Sequence, residues 1–196
     1  PDSALIMSDL ISSEFNYYVS KELLEIIKFK YAFVQFGNNK GPDNLNSFIN
    51  NLKEFSNKNN LKIILCPIGL ALDHSDDKLL KKIQKIEKDF LYYEPKNLYE
   101  IMFLIKESNI YIGTSLHGVI TAQSFNKPFF VFPEKINKLK VYIETWFENA
   151  EKLFGEFDEF QKLQEHYFNF DYEKQKEDNK RQKQIIYEHY SKIFKI

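Results

Sequence analysis

The chain has 196 residues, which is enough for one ordinary domain with its own core, or for such a domain with a helical appendage. Its 27 basic and 28 acidic residues nearly cancel, and Arg181 is the only arginine, so we expect no nucleic-acid partner, which would need a clustered basic surface. Cys66 is the single cysteine, which excludes an intrachain disulfide and favours a reducing compartment.

Three apolar runs in the first half of the chain predict strands of a parallel sheet, because such strands are buried on both faces. They are residues 31–36, 61–68 and 90–93. Each run is followed by an amphipathic helical pattern, and the capping residues are Asp43 or Asn44, then Ser75, then Asn97. Residues 1–30 lead into the domain, and residues 37–42 form the turn after the first strand.

Residues 109–132 predict a strand, a tight turn, a helix and a further strand. An apolar run stops at Gly113, the next residues, Thr114 and Ser115, favour helix N-caps, and a second apolar run follows Pro128. At the carboxyl edge of a parallel sheet, this turn would leave three backbone N–H groups free for an anionic ligand. They belong to Leu116, His117 and Gly118.

Strands and helices alternate regularly along the chain, which is the pattern of right-handed βαβ units. We therefore predict an α/β fold with a Rossmann-like parallel sheet flanked by helices. In the usual doubly wound order, 3-2-1-4-5, the sheet reverses between its first and fourth strands. The loops at residues 37–42 and 113–118 would then face each other across a ligand-binding crevice.

Residues 148–196 show no strand pattern and predict a helical C-terminal extension that packs on the domain formed by residues 1–147. Two apolar stripes mark its helices, the first with Phe157, Phe160, Leu163 or Gln164, and Tyr167, and the second with Ile186, Tyr190 and Ile193. Residues 171–183 between them are almost wholly polar, which indicates a solvated helical face or a mobile link. His166 and His189 fall in charged stretches, so we expect both to be exposed to solvent.

Three segments resemble the polysaccharide pyruvyl transferase family. The signature of that family is a Gly-Thr-(Arg or Ser)-Leu-His-Gly turn, an Ala-containing helix and a Pro-initiated strand, and residues 113–132 read GTSLHGVITAQSFNKPFFVF. PDSALIM, at the start, is similar to the segment that enters the C-terminal domain of the family, and CPIGLALDHSDDKLL is similar to its second strand, loop and acidic helix start. The resemblance covers residues 1–147. It implies the C-terminal half of a GT-B-like, two-domain enzyme whose N-terminal domain is missing from this sequence.

The resemblance also implies an activity, which is the transfer of pyruvate from phosphoenolpyruvate to hydroxyls of a surface-polysaccharide sugar, forming a ketal and releasing phosphate. His117 would be the acid–base residue, because imidazole titrates near neutral pH. The expected substrate- and anion-binding residues are Thr114, Ser115, Leu116, Gly118, Gly37, Lys40 and Lys135. No cofactor and no metal are expected.

Two positions depart from the pattern of the family. Many relatives carry arginine where this chain has Ser115 and Gly37, and two such arginines would grip phosphoenolpyruvate bidentately. Here, either Lys40 and the backbone amides take their place, or the ligand differs. Lys135 follows the fifth strand, where the family often has lysine, and either a place beside the ligand or an ordinary surface position would explain it.

Two other functions stay open. A GT-B glycosyltransferase donor domain would bind a nucleotide-sugar in the same crevice, but it needs an acidic residue placed for the ribose, and none is convincingly so placed. A non-catalytic binding or scaffold domain would explain the missing arginines as lost activity, and its helical tail would dock a partner. The sequence has no G-x-S-x-G elbow, P-loop or C-x-x-C motif, so a hydrolase triad, a P-loop nucleotidase and a zinc module have no support.

Several candidate residues have a structural alternative. The imidazole of His117 would otherwise form a hydrogen bond across the crevice. An acidic run would hold a hard metal ion or, more commonly, begin a capped helix, and its members are Asp73, His74, Asp76 and Asp77. Four tyrosines would stack on sugar rings or belong to the core and its rim, namely Tyr17, Tyr18, Tyr92 and Tyr93.

No run in the sequence approaches the ~20 apolar residues of a membrane-spanning helix. Together with the lone cysteine, this favours the cytoplasm, with or without peripheral attachment of the full-length protein to the inner face of the membrane.

Overall fold

The computed structural model describes residues 1–11, 15–69, 76–133 and 135–194. Its strands are Tyr31–Gln35 (β1), Lys62–Leu65 (β2), Leu91–Tyr92 (β3), Ile110–Gly113 (β4) and Phe129–Val131 (β5). Its α-helices are Met7–Ile11 (α1), Phe15–Tyr18 (α2), Lys21–Ile26 (α3), Leu45–Asn59 (α4), Asp77–Ile86 (α5), Leu98–Glu107 (α6), Leu116–Ser124 (α7), Asn137–Trp146 (α8), Phe160–Phe168 (α9) and Tyr172–Phe194 (α10). Short 3-10 helices span Ser3–Ile6 and Ala150–Lys152.

The strands form a parallel sheet in the order β3-β2-β1-β4-β5, which confirms the predicted doubly wound topology. The central strand β1 is buried along its whole length and pairs with β2 on one side and β4 on the other. The helices that follow β1 and β4 pack on opposite faces of the sheet. The loops after these two strands therefore lie at the carboxyl edge of the sheet, on either side of the predicted crevice.

Two apolar layers hold the helices on the sheet. On one face, α6, α7 and α8 pack on side chains such as Tyr111 and Phe129. On the other face, α4, α5 and α9 pack on side chains such as Val34 and Phe130. The predicted caps of three helices are confirmed, because the side chains of Asn44, Asn97 and Ser115 each accept a hydrogen bond from a first-turn amide.

The C-terminal extension packs on both faces of the sheet. The first predicted stripe is confirmed, because Leu163 is fully buried and Phe157, Phe160 and Tyr167 pack around the same apolar cluster. The second stripe is partly wrong. Ile186 is buried and Tyr190 packs against the core, whereas Ile193 is 55% exposed near the end of α10.

The polar segment 171–183 forms about the first half of α10, and most of its residues are exposed, so the prediction of a solvated helical face is largely confirmed and a mobile link is not observed. The prediction missed one buried side of this segment, where Gln175, Asn179 and Gln182 pack against the rest of the domain. The Gln182 amide donates to the carbonyl of Trp146 over 3.1 Å and accepts from the side chain of Gln123 over 3.2 Å. Buried amides of this kind are tolerated because their hydrogen bonds are met within the protein.

Among the residues that the structure describes, none of the helices has the length and apolar character that crossing a membrane requires.

Candidate functional site

The turn after β4 delivers a helix N-terminus to the carboxyl edge of the sheet. Ser115 is the N-cap of α7, and its hydroxyl accepts a hydrogen bond from the Gly118 amide over 3.3 Å. The prediction of three free amides is therefore wrong for Gly118, whose N–H group already has a partner. Leu116 and His117 are the first two residues of α7, so their N–H groups have no acceptor within the helix. These two amides remain for an anion.

Glycines at both ends of this turn let the chain pass over a buried tyrosine. A Cβ on Gly118 would lie 2.3 Å from Tyr111 Oη, and a Cβ on Gly113 would lie 2.5 Å from the same atom. The ring of Tyr111 is fully buried beneath the turn. The Gly-x-x-x-x-Gly spacing is therefore required by packing, since any side chain at either position would push the turn away from the sheet.

A buried polar network lies directly beneath the crevice. Gln35, the last residue of β1, donates through Nε2 to the Asp76 carboxylate over 2.7 Å and accepts through Oε1 from the Tyr111 hydroxyl over 3.1 Å. The Ser115 amide donates to that hydroxyl over 3.3 Å. Asp76 also accepts from the amides of Ile68 and Gly69, so its buried charge is well solvated by donors. The network connects three loops at the carboxyl edge.

Sequence reasoning missed Gln35 and Tyr111 as members of the site. A signal existed for Gln35, because it is the only polar side chain in an otherwise apolar central strand. No sequence feature marked Tyr111, because it belongs to a strand with an ordinary apolar pattern. Burial raises the pKa of the Tyr111 hydroxyl above its ordinary value, so it acts as a neutral hydrogen-bonding group.

The loops on the two sides of the crevice are joined by hydrogen bonds. The Gly37 amide donates to Thr114 Oγ1 over 3.3 Å, and the Thr114 amide donates to the Gln35 carbonyl over 3.2 Å. The Thr114 side chain is buried. The structure thus brings the predicted residues Gly37 and Thr114 together, and their contact fixes the two loops relative to each other.

Two lysines lie at this edge, and they differ in whether their ammonium group has an ion-pair partner among the described residues. The stem of Lys40 passes so close to Gly37 that a Cβ on that glycine would lie 3.1 Å from Lys40 Cδ. Within the described part of the chain, the Lys40 ammonium has no ion-pair partner. Lys135 reaches across from the loop after β5 and donates to the carbonyl of Gly41 over 3.0 Å and to the carboxylate of Asp43 over 2.9 Å. Lys135 is therefore beside the crevice, already paired with an exposed acid.

His117 presents an exposed imidazole in the first turn of α7. Its backbone carbonyl accepts from Thr121 Oγ1 over 2.7 Å, which holds the turn. The imidazole itself has no hydrogen-bond partner among the residues that the structure describes. The structural alternative was that a hydrogen bond across the crevice holds the imidazole of His117. No such hydrogen bond is present among the described residues.

The acidic run supplies no metal site within the described residues. Asp73, His74 and Ser75 lie outside them. Asp76 belongs to the buried network, and Asp77 accepts from Lys81 over 3.1 Å in the first turn of α5. No group of three potential metal ligands is found in the ranges that the structure covers.

The four tyrosines have separate environments. Tyr18 stacks on Tyr99 with ring centroids 4.3 Å apart, and Tyr93 is buried and donates to the Glu100 carboxylate over 2.8 Å. Tyr17 is 86% exposed on α2. The ring of Tyr92 lies under the Lys81 ammonium, 5.2 Å from its centroid. They form no common surface for a sugar.

His166 corrects a further prediction, because it is not exposed. Its ring lies in an aromatic pocket, 6.1 Å from the centroid of Phe130 and 5.5 Å from that of Phe170. Burial lowers the pKa of His166 to about 4, so the ring is neutral at physiological pH. His189 is exposed on α10, as predicted.

The comparison with protein families gives a match that includes both loops of the candidate site. The family model described as polysaccharide pyruvyl transferase matches residues 1–135, which include the loops after β1 and β4. No curated protein matches the sequence significantly.

Two solved structures share the fold. One is the UDP-GlcNAc 2-epimerase of Methanocaldococcus jannaschii, solved with UDP-GlcNAc and UDP, at 13% identity and a TM-score of 0.59, covering 86% of this chain and 47% of that one. The other is MnaA of S. aureus, solved with UDP, at 12% identity and a TM-score of 0.54, covering 78% of this chain and 40% of that one. The chain therefore spans less than half the length of these GT-B-like proteins. At such low identity, the likeness shows the Rossmann-like α/β fold and nothing about ligands.

The family model covers more than half of the 196 residues and includes both loops of the crevice. The chain belongs to the polysaccharide pyruvyl transferase family.

Proposed function

We propose that the chain is the C-terminal half of an enzyme that transfers pyruvate from phosphoenolpyruvate to hydroxyls of a saccharide, forming a ketal and releasing phosphate. The observation that carries the proposal is the exposed imidazole of His117, which stands in the first turn of α7 beside two amides without intrahelical acceptors. Membership of the family supports a pyruvyl donor and a saccharide acceptor in general.

Phosphoenolpyruvate carries a phosphate and a carboxylate, and the crevice offers positive groups for both. The amides of Leu116 and His117 lie at the positive end of the α7 dipole, where an anion is stabilised by about 0.3–1 kcal/mol or more when partly buried. Lys40, without an ion-pair partner among the described residues, would neutralise a second negative charge. Lys135 would exchange its contact with Asp43 for the ligand. These groups take the place of the two arginines of many relatives.

In the proposed reaction, a saccharide hydroxyl attacks C2 of phosphoenolpyruvate, and the imidazole of His117 accepts the hydroxyl proton and passes it to the methylene carbon, which becomes a methyl group. The phosphate then leaves C2 with the electrons of its C–O bond, and a second hydroxyl forms a C–O bond at C2 in its place. The neutral imidazole accepts the proton of this second hydroxyl and passes it to the leaving phosphate. One phosphoenolpyruvate and one diol thus give one ketal and one hydrogen phosphate.

The acceptor and the setting are part of the proposal. Active sites of two-domain enzymes lie between the domains, so the second half of the protein would complete the acceptor side. Cys66 is buried as a free thiol, which supports action in the reducing cytoplasm, at or near the inner face of the membrane where surface saccharides are assembled.

Binding of phosphoenolpyruvate to the isotopically labelled chain tests the proposal by nuclear magnetic resonance. We expect phosphoenolpyruvate to shift the amide signals of residues 115–118 and 37–40, and Lys40→Ala to weaken this binding by about tenfold, the effect of one charge-assisted hydrogen bond. Lys58→Ala, at an exposed lysine near the end of α4, is the matched control.

UDP and UDP-GlcNAc are the competing ligands in the same titration, because the alternative is a nucleotide-sugar enzyme. Shifts at residues 115–118 with UDP, and none with phosphoenolpyruvate, would contradict the proposal.

A further inference from the structure

The C-terminal extension adds one more strand-like segment to the sheet. Phe154 forms a parallel bridge with Val131 of β5, in which the Val131 amide donates to the Leu153 carbonyl and the Gly155 amide donates to the Val131 carbonyl, each over 3.1 Å. Because this pairing is parallel, the chain after Gly155 emerges at the carboxyl edge of the sheet, on the same edge as the candidate site. This part of the chain lies outside the region that the family model matches.

The loop at residues 155–159 is held in place by its own contacts. The Glu156 amide donates to Glu159 Oε2 over 2.9 Å, and the Glu159 carboxylate pairs with Lys162 over 2.7 Å. Gly155 is buried, and a Cβ there would lie 3.1 Å from Glu159 Oε2 and 3.2 Å from Phe130 Cζ. The loop is therefore ordered before any ligand arrives, which reduces the entropic cost of binding.

A cavity of about 600 Å³ lies between this loop, the loop after β5 and the first turn of α8. The lining residues that bear on its ligand are three lysines (Lys135, Lys140 and Lys162), two glutamates (Glu156 and Glu159), Asn137 and Phe154. A second cavity of about 230 Å³ lies between residues 156–158 and residues 42–44. Glu156 lines both, and the Lys135–Asp43 ion pair has one partner in each. The cavities thus adjoin the candidate site.

The lining of the larger cavity discriminates between classes of ligand. Two carboxylates, Glu156 and Glu159, oppose an anionic ligand, while three lysines oppose a cationic one. A neutral, polyhydroxylated molecule suits a lining that carries charges of both signs. Each of its hydroxyl groups can donate to a carboxylate and accept from an ammonium or an amide. The carboxylate of Glu156 and the amide of Asn137 have no protein partner within the described ranges, so both are available. Phe154 adds an apolar ring to the same wall.

We propose that the loop at residues 155–159 and the cavity beside it form a subsite for the saccharide, supplied by the C-terminal extension. The proposal rests on the proposed function for the identity of the donor at the neighbouring site. It deepens that function by assigning saccharide contacts to this half of the protein, through Glu156, Asn137, Lys140 and Phe154. The cavity volume lies within the range of small-molecule sites, about 300–1,000 Å³.

The test is a titration of the labelled chain with four neutral methyl glycosides, those of galactose, glucose, mannose and N-acetylmannosamine. At about 50 mM, at least one is expected to shift the amide signals of residues 137–140 and 154–159, as weak millimolar binding predicts. Glu156→Ala is expected to weaken that binding about tenfold, since it removes a charged hydrogen-bond acceptor. Glu151→Ala, at an exposed glutamate of the same extension that does not line the cavity, is the matched control.

Two results would overturn the subsite, namely no shift at residues 154–159 with any of the four glycosides, or equal affinity of the Glu156→Ala and Glu151→Ala variants. Because Glu156 is exposed, its replacement leaves the fold intact and the comparison stays informative.

Inorganic phosphate and phosphoenolpyruvate are added separately. Glycoside shifts at residues 154–159 without phosphoenolpyruvate shifts at residues 115–118 would support the subsite and contradict the proposed function.

Discussion

Tyr111 explains why the turn that carries His117 has glycine at both ends. Its ring lies fully buried under the turn, and its hydroxyl takes part in the network that joins Gln35 and Ser115. Helix propensity alone would favour alanine at Gly118, by about 0.8–1.0 kcal/mol. Close packing opposes that preference here.

Gly118→Ala is predicted to destabilise the protein, because the new Cβ would lie 2.3 Å from Tyr111 Oη and 2.4 Å from Cζ of the same ring. Overpacking of this kind costs about 1–3 kcal/mol, and the measurement is the free energy of unfolding in urea. Gly37→Ala is the control, since its closest neighbour is the flexible stem of Lys40 at 3.1 Å. A Gly118→Ala variant as stable as the wild type would contradict this prediction. It would show that the turn moves to accommodate the new Cβ without lowering the free energy of unfolding.

At the scale of elements, α9 docks on the sheet through a mixture of apolar side chains and one histidine. Leu163 is fully buried, and His166 enters the pocket formed by Phe130 and Phe170. The ring accepts burial because it is neutral, and a backbone hydrogen bond to Phe129 partly offsets the loss of solvation. The docking of α9 should therefore depend on pH.

The folded pKa of His166, about 4, lies below its ordinary value of 6.5, so the unfolded chain takes up a proton in this range that the folded chain does not. Stability is then highest above pH 6.5 and falls as the pH drops towards 4, by at most about 1.4 kcal/mol per pH unit. His166→Gln is predicted to remove this part of the pH dependence, measured by urea unfolding between these pH values. His189→Gln, at an exposed histidine, should keep it. Identical pH dependence in wild type and His166→Gln would contradict the assignment.

The sequence predicted elements whose signals are local and missed those that depend on distant partners. The caps at Asn97 and Ser115 and the apolar strands are readable because each is a pattern of neighbours along the chain. The buried polar side chains of α10 are not readable, since Gln182 finds its partner Gln123 59 residues away. His166 was misjudged for the same reason, because the aromatic ring that covers it, Phe130, belongs to β5.

At the scale of the whole molecule, several segments meet at the carboxyl edge of the sheet. They include the loops after β1, β4 and β5, the described part of the loop after β2, and the loop at residues 155–159. The two faces of the sheet are covered by helices, so the edge is where a ligand finds unpaired amides and charged side chains. The chain spans less than half the length of the solved structures that share its fold. On our proposal, the other half of the enzyme closes over this edge.

The most direct measurement is phosphate release from phosphoenolpyruvate, in the presence of a saccharide acceptor, by the full-length enzyme and its His117→Gln variant. The account predicts that kcat falls by roughly 10²- to 10⁴-fold, the contribution of one general acid–base group, while Tm and the KM for phosphoenolpyruvate stay nearly unchanged. His189→Gln serves as the control and should retain full activity. Turnover by His117→Gln at the rate of the wild type, or loss of its fold, would contradict the acid–base role of His117.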